Sequence, residues 1–310
     1  MESLTVGRPT TERPVTPDSH APSQQTYRER LPARGLAGLA SCVWVQQVSP
    51  EGAEYAHRTV PNGCVEVACV KGTHVVSLVG PRREPVIERL PPGSTVVGVR
   101  FHPGVPAAVL GAAAPELVDL DLTLDQAWGR SAATLAERIA LAPTPEHAAC
   151  VLEDEIATRC AAAPDPDDLV AETVDRLQPW RRGRVGEIAS DLFISPRQLR
   201  RRCVAAFGFG PKTLHRILRF QGFLAVTHAF HRDEVGLGWL AAAAGYFDQA
   251  HLTRECVALA GLTPAAFLEE TRTSCGANHD HRASFARLRR ALVITRAASM
   301  EELKGRSRRG

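Results

Sequence analysis

The ten residues Ile194 to Cys203 read ISPRQLRRRC and place Arg197, Arg200, Arg201 and Arg202 within two turns of a helix. A guanidinium is a planar fork of donors that matches two oxygens of a phosphate, or the O6 and N7 atoms of guanine. Leu199 and Cys203 are four apart and share a helix face. That face should pack inward, leaving Arg197, Gln198, Arg200 and Arg201 to point elsewhere. Downstream, Asp248 to Cys256 read DQAHLTREC. Leu199, Arg201, Cys203, Gly208 and Pro211 recur 53 positions later as Leu252, Arg254, Cys256, Gly261 and Pro264. Five matches in one register indicate a duplicated unit, with Gln249, His251, Thr253 and Arg254 as its own candidate contacts.

The elements that must hold these side chains are legible around them. Val185 to Phe193 (VGEIASDLF) has the spacing of a short amphipathic helix. Ser195 is a good N-cap and Pro196 suits the first turn of the next helix, which Gly208 and Gly210 end. Pro211 opens a long helix, PKTLHRILRFQGFLAVTHAF. LGWLAAAAG then forms a short helix, Gly245 marks a turn, Asp248 caps a helix ending near Gly261, and Thr263 caps the last one. Helix, tight turn, helix is the arrangement whose second helix enters the DNA major groove by its N-terminal residues.

Charge supports a polyanionic partner. The net charge is only +3, but residues 181–219 carry 10 basic and 2 acidic side chains, Arg182, Arg184 and Lys212 among them, and residues 271–310 carry 10 and 3. Residues 1–180 carry 15 and 23, and residues 230–270 carry 2 and 6. A local positive field attracts polyanions even on a nearly neutral chain.

The first half reads as β-rich. VWVQQV, GCVEVACV, HVVSLVG and STVVGVRF are short Val-rich runs separated by the turn signals PNG, KGT and PPG. Val105 to Cys160 turns Ala- and Leu-rich with helical spacing. The expected fold class is therefore α+β. A small sandwich- or barrel-like N-terminal domain with helices precedes an all-α domain of two helix-turn-helix units joined by a long linker helix. The boundaries are a disordered lead-in at 1–26, a β-rich sensor or dimerisation domain at 27–163, a linker helix at 164–180, the DNA-binding domain at 181–271 and a basic tail at 272–310.

SPRQLRRRC, FGFGPKTLHRILRFQGFL, GYFDQAHLTREC and ALAGLTPAAF together resemble the AraC/XylS family of bacterial transcription regulators over roughly residues 185–267. The resemblance implies that two helix-turn-helix units read successive major-groove faces of one site. By position it assigns base or phosphate contacts to Arg197, Arg200 and Arg201, and to Gln249, Ala250, His251, Thr253 and Arg254. Two departures stand out. Phe193 occupies a turn position where the family has Gly, and Cys203 and Cys256 replace a buried Phe. GVRFHPGVPAAVLG, with the preceding PNG, is similar to sensor-type domains found before such a region. That layout implies sensing or dimerisation.

DNA contacts are thus expected from Arg182, Arg184, Ser195, Arg197, Gln198, Arg200, Arg201, Lys212, Gln249, His251, Thr253 and Arg254. An effector pocket is expected at Cys64, Glu66, Arg100 and His102. Expected partners are double-stranded DNA, a small-molecule effector, RNA polymerase and a second copy of the chain. No catalytic residue, metal or cofactor is expected. Cys64 and Glu66 share a strand face that Cys69 does not, which argues against one metal site. CGANHDH (Cys275 to His281) has zinc-type ligands without a zinc spacing, in what reads as a loop. Glu153, Asp154 and Glu155 read as a solvated helix face. The segment from Arg282 on reads as a mobile basic tail, with a basic helix carrying Phe285, Leu288 and Leu292 on one side, adding phosphate contacts or docking on the body, as the alternative. No phosphate-cradling loop or nucleophile elbow occurs. The N-terminus lacks the pattern of a secretion signal, and eight scattered cysteines suit a reduced cytoplasm. The alternatives are a ligand- or thiol-sensing protein whose DNA binding is conditional, and an enzyme that uses the double unit for targeting.

Overall fold

The structure is a computed structural model that describes residues 25–105, 112–161, 167–181, 183–229, 235–275 and 279–286. The first part contains β1 (Gln25–Arg30), β2 (Ala40–Val48), β3 (Tyr55–Thr59), β4 (Glu66–Val70), β5 (Val76–Val79), β6 (Val86–Leu90) and β7 (Thr95–Phe101). Then come α1 (Ala114–Leu117), β8 (Asp121–Thr123), α2 (Asp125–Trp128), α3 (Arg130–Leu141) and α4 (Pro145–Cys160). The helical part has α5 (Asp168–Arg176), α6 (Val185–Asp191), α7 (Pro196–Phe207), α8 (Pro211–Ala229), α9 (Leu237–Ala243), α10 (Gln249–Ala260) and α11 (Pro264–Cys275), followed by β9 (His279–Asp280). The chain is α+β, with an N-terminal β-sheet domain and a helical C-terminal region.

Seven strands form one sheet in the order β8-β5-β4-β7-β2-β1-β9, and β3 pairs with β6 in a separate ribbon. All pairs are antiparallel except β1 with β9. Side chains alternate between the sheet's faces. Val43, Val45, Val67, Cys69, Val97, Val99 and Phe101 meet Leu135, Ile139, Leu152 and Ile156 of α3 and α4 in one core. Each such fully buried side chain contributes about 1.5–3 kcal/mol. The other face carries Tyr27, Glu29, Trp44, Glu66 and Arg100. Gly98 lies on it because a Cβ there would sit 2.3 Å from the Trp44 ring.

Four local expectations are corrected. β1 begins at Gln25, two residues inside the stretch expected to be disordered, because it pairs fully with β2. β8 lies within the stretch expected to be helical; DLT alternates, turning Leu122 toward the core and leaving Asp121 and Thr123 exposed against β5. Glu153 is buried, not solvated, and accepts bonds from Arg30 Nη2 at 2.6 Å and the Ala33 amide at 2.5 Å. CGANHDH is not a loose loop where it is described: His279 and Asp280 pair with Tyr27 and Arg28, and the residues that follow dock on the sheet, with Phe285 buried. Leu288, Leu292 and the rest of the tail beyond Ala286 lie outside the described residues.

The helical region is built as two helix-turn-helix units, α6–α7 and α9–α10, around one core. Ile188, Ala189, Leu199, Cys203 and Phe207 of the first unit and Leu240, Ala241, Leu252, Cys256 and Leu259 of the second meet α8, which is apolar around most of its circumference. Ser195 caps α7 by accepting from the Gln198 amide, and Asp248 caps α10 by accepting from the His251 amide. Both helices end in a left-handed glycine, Gly208 and Gly261.

The two turns differ by one residue. Phe193 and Ile194 donate to Ser190 and Ala189 as Gly245 and Tyr246 donate to Ala242 and Ala241, so these positions are 52 apart. The N-caps Ser195 and Asp248 are 53 apart. Phe247 is the added residue. Where the second turn has Gly245 at φ 80°, the first has Phe193 at φ 53°. That region costs a residue with a Cβ about 1–2 kcal/mol. Because Phe193 is 97% exposed, replacing it sacrifices no packing. Phe193→Gly is expected to raise stability by about 1 kcal/mol after glycine's extra backbone entropy, read as a higher denaturation midpoint. An unchanged or lower midpoint would show that the turn is unstrained.

Candidate nucleic-acid interface and effector cavity

On α7 the packed face is Leu199, Cys203 and Phe207, and Arg197, Arg200 and Arg201 are exposed. None of these three arginines makes an ion pair among the described residues. Their neighbour Arg202 points another way, onto Asp167 just before α5. Ser195 and Gln198 are occupied with each other: the Gln198 carboxamide oxygen accepts from the Ser195 amide at 2.8 Å while Ser195 Oγ accepts from the Gln198 amide at 3.2 Å. Arg184 is exposed at the N-cap of α6, with Glu187 3.9 Å away. Lys212 is exposed in the first turn of α8. Arg182 lies outside the described residues.

The second unit presents less charge. Gln249, Ala250 and Arg254 are exposed on α10. Thr253 Oγ1 bonds back to the Gln249 carbonyl at 2.9 Å. His251 is half-buried, edge-on to Tyr246 with ring centroids 5.2 Å apart, and its Nδ1 accepts from the Phe247 amide at 3.4 Å. It therefore holds the turn more than it reaches out.

The expected effector residues come together on the polar face of the sheet. Cys64, Arg100 and His102 line a cavity of about 310 Å³, closed on the far side by Leu218 and Gln221 of α8 and by Phe285. Glu66 stands behind them. A second cavity of about 150 Å³ adjoins it, lined by Tyr27, His57, Arg58, Gln221, Phe267 and His281 among others.

A buried ionic network forms the floor. Arg100 Nε donates to Glu66 Oε1 at 2.8 Å, Nη1 to Glu29 Oε1 at 3.1 Å, and Nη2 to the Tyr27 hydroxyl at 3.4 Å. Glu66 also accepts from Trp44 Nε1 at 2.9 Å and Asn62 Nδ2 at 2.8 Å. Glu29, whose side chain is fully buried, takes the Ser284 amide and hydroxyl at 2.8 and 2.6 Å and lies 3.1 Å from His281 Nδ1. Burial alone would raise the Glu29 carboxyl, but His281, Arg100 and Ser284 hold it well below the usual carboxylate range. Burial first, then the charges of His281 and Arg100, lowers His57 to about 4. Burial pushes the Cys64 thiol up to about 12. A thiol held protonated in this way is a poor redox sensor.

The helical region is fastened to the sheet domain at several points. Arg58 of β3 forms a bidentate pair with Glu270 of α11, at 2.6 and 3.0 Å, and its Nη1 donates at 3.0 Å to the Ala260 carbonyl at the end of α10. Gln221 donates to the Pro61 carbonyl at 2.8 Å. Gly208 packs so closely on α1 that a Cβ would lie 2.8 Å from the Ala114 carbonyl oxygen.

Residues 28–123, which run from β1 to β8, match a family model described as a domain of unknown function (DUF6597). No curated protein matches the chain. Among solved structures, the apo form of a ToxT variant from Vibrio cholerae is similar at 12% identity and TM-score 0.44, over 74% of this chain and 96% of that one. ToxT from the same organism bound to (E)-4-(8-methylnaphthalen-1-yl)but-3-enoic acid is similar at 10% identity and TM-score 0.41, over 79% and 98%.

Sequence reasoning missed Tyr27, Glu29 and Arg58. Tyr27 and Glu29 carried a signal, since polar groups at period two in a strand mark one face. Arg58 carried none, because its partners are more than 200 residues away. Groups of histidine, cysteine and acidic residues that could hold a metal are absent among the described residues. No helix among them is long and apolar enough to cross a membrane.

Proposed function

We propose that this protein is a sequence-specific DNA-binding transcriptional regulator of the AraC/XylS type, in which the β-sheet domain receives an effector. The observation that carries this reading is the exposed face of Arg197, Arg200 and Arg201 on a capped helix of a duplicated helix-turn-helix unit. α7 enters the major groove of double-stranded DNA, where these arginines read guanines or anchor phosphates. α10 follows with Gln249, Thr253 and Arg254, and Arg184 and Lys212 add phosphate contacts. The effector occupies the cavity at Cys64, Arg100 and His102, between the sheet and α8, where it acts on the attachment of the reading units. RNA polymerase and a second copy of the chain are the protein partners of such a regulator.

Selection of bound duplexes from a random pool tests the reading. One short motif with two elements about one helical turn apart is expected. Its affinity should fall steeply with salt, the logarithm declining by about 0.9 per phosphate contacted for each unit in log salt. Retention of random DNA with no enriched motif, or a flat salt response, would contradict it.

A further inference from the structure

The second reading unit has little charge with which to hold DNA. Residues 230–270 carry 2 basic and 6 acidic side chains. On α10 the basic side chains are Arg254 and the inward-turned His251, and Glu255 is taken up by Arg216 at 2.8 Å. What the unit does expose is an aromatic ring. Phe247 is 93% exposed, directly before the N-cap of α10, and it is the residue added to the turn relative to the first unit. Its backbone is fixed from both sides. Its amide donates to His251 Nδ1, Tyr246 before it packs edge-on against the same imidazole, and Asp248 after it caps the helix. A ring held at this point without any protein contact to bury it travels with the helix end that enters the groove. Ala250 extends the apolar surface into the first turn of α10. On a base edge in the major groove the apolar group is the 5-methyl of thymine.

Resting on the DNA-binding reading above, we infer that Phe247 is a specificity residue of the second unit and packs against a thymine methyl group. The two units then read by different chemistry. The first uses guanidinium groups on guanine and phosphate, and the second uses an apolar contact that ionic strength hardly weakens.

The test uses the full-length chain and the duplex enriched by selection. Each thymine is replaced in turn by deoxyuridine, which removes only the methyl group, and affinity is measured for the unaltered protein and for Phe247→Ala. Burying one methyl group corresponds to roughly a fourfold change in affinity. The expected result is one or two adjacent thymines whose replacement costs the unaltered protein about that factor and costs Phe247→Ala nothing. Because the ring has no packing role, the variant should keep the same denaturation midpoint. Equal losses in both proteins at every thymine would overturn the inference while leaving the DNA-binding reading intact. So would a variant that changes oligomeric state but keeps the same methyl discrimination, since Phe247 would then face another copy of the chain. Failure to enrich any sequence would overturn the DNA-binding reading and this one with it.

Discussion

Arg100→Ala is expected to destabilise the protein by about 3–5 kcal/mol, the loss that follows when one side of a buried charge network is removed. Arg100 is the only basic side chain joined to both Glu29 and Glu66 among the described residues, and these carboxylates are almost wholly buried. In the variant Glu66 keeps its bonds from Trp44 and Asn62, and Glu29 keeps those from Ser284. Glu66 loses its guanidinium partner, and Glu29 is left with the His281 imidazole 3.1 Å away. The pH dependence identifies the cause. Arg100 is one of the charges that hold the Glu29 carboxyl down, so without it that carboxyl takes up its proton at a higher pH than in the unaltered protein, and the penalty, full near neutral pH, shrinks as pH falls and the proton binds. The gap between the two proteins in denaturation experiments should therefore be smaller at about pH 3, below the ordinary carboxylate pKa, than at about pH 7. A gap of the same size at both pH values would assign the loss to packing instead. The network links β1, β2, β4 and β7 to Ser284, so the variant should also loosen the segment that closes the cavity beside Cys64 and His102.

Arg201→Ala is expected to weaken binding to the selected site by about 1–3 kcal/mol, roughly 5- to 150-fold. Arg201 is exposed on α7, away from the face that packs, and makes no ion pair among the described residues. Its guanidinium needs no internal bond broken before it meets DNA. Arg202 is the control, since it is one residue away, carries the same charge and is held by Asp167. Arg202→Ala should change affinity much less. Equal losses from both substitutions would mean that α7 binds through net charge alone, and unchanged affinity in Arg201→Ala would remove that residue from the interface.

The sequence by itself determined the elements of the helical region, because their signals are local. Ser195 and Asp248 as caps, Gly208 and Gly261 as terminators, and the four-residue spacing of Leu199 with Cys203 each act within a turn or two of chain. The arginine face of α7 followed from the same spacing. VWVQQV and STVVGVRF were likewise legible as strands, as Val-rich runs between turn signals. The register of the duplication was legible in five pairs, but the extra residue at Phe247 emerged only from the turn hydrogen bonds, since an identity count at a single offset does not register an insertion.

Tertiary structure alone decided how distant polar groups combine. Glu29, Glu66 and Arg100 come from three strands, and their pairing depends on strand order β4-β7-β2-β1, which no local signal encodes. Glu153 looked solvated because its neighbours are acidic, yet Arg30 and Ala33, some 120 residues earlier, bury it. Arg58 acquires its role because the β3–β6 ribbon meets α10 and α11. A buried charge is stable only where its partners are, and partners brought together by long-range packing leave no spacing pattern in the chain.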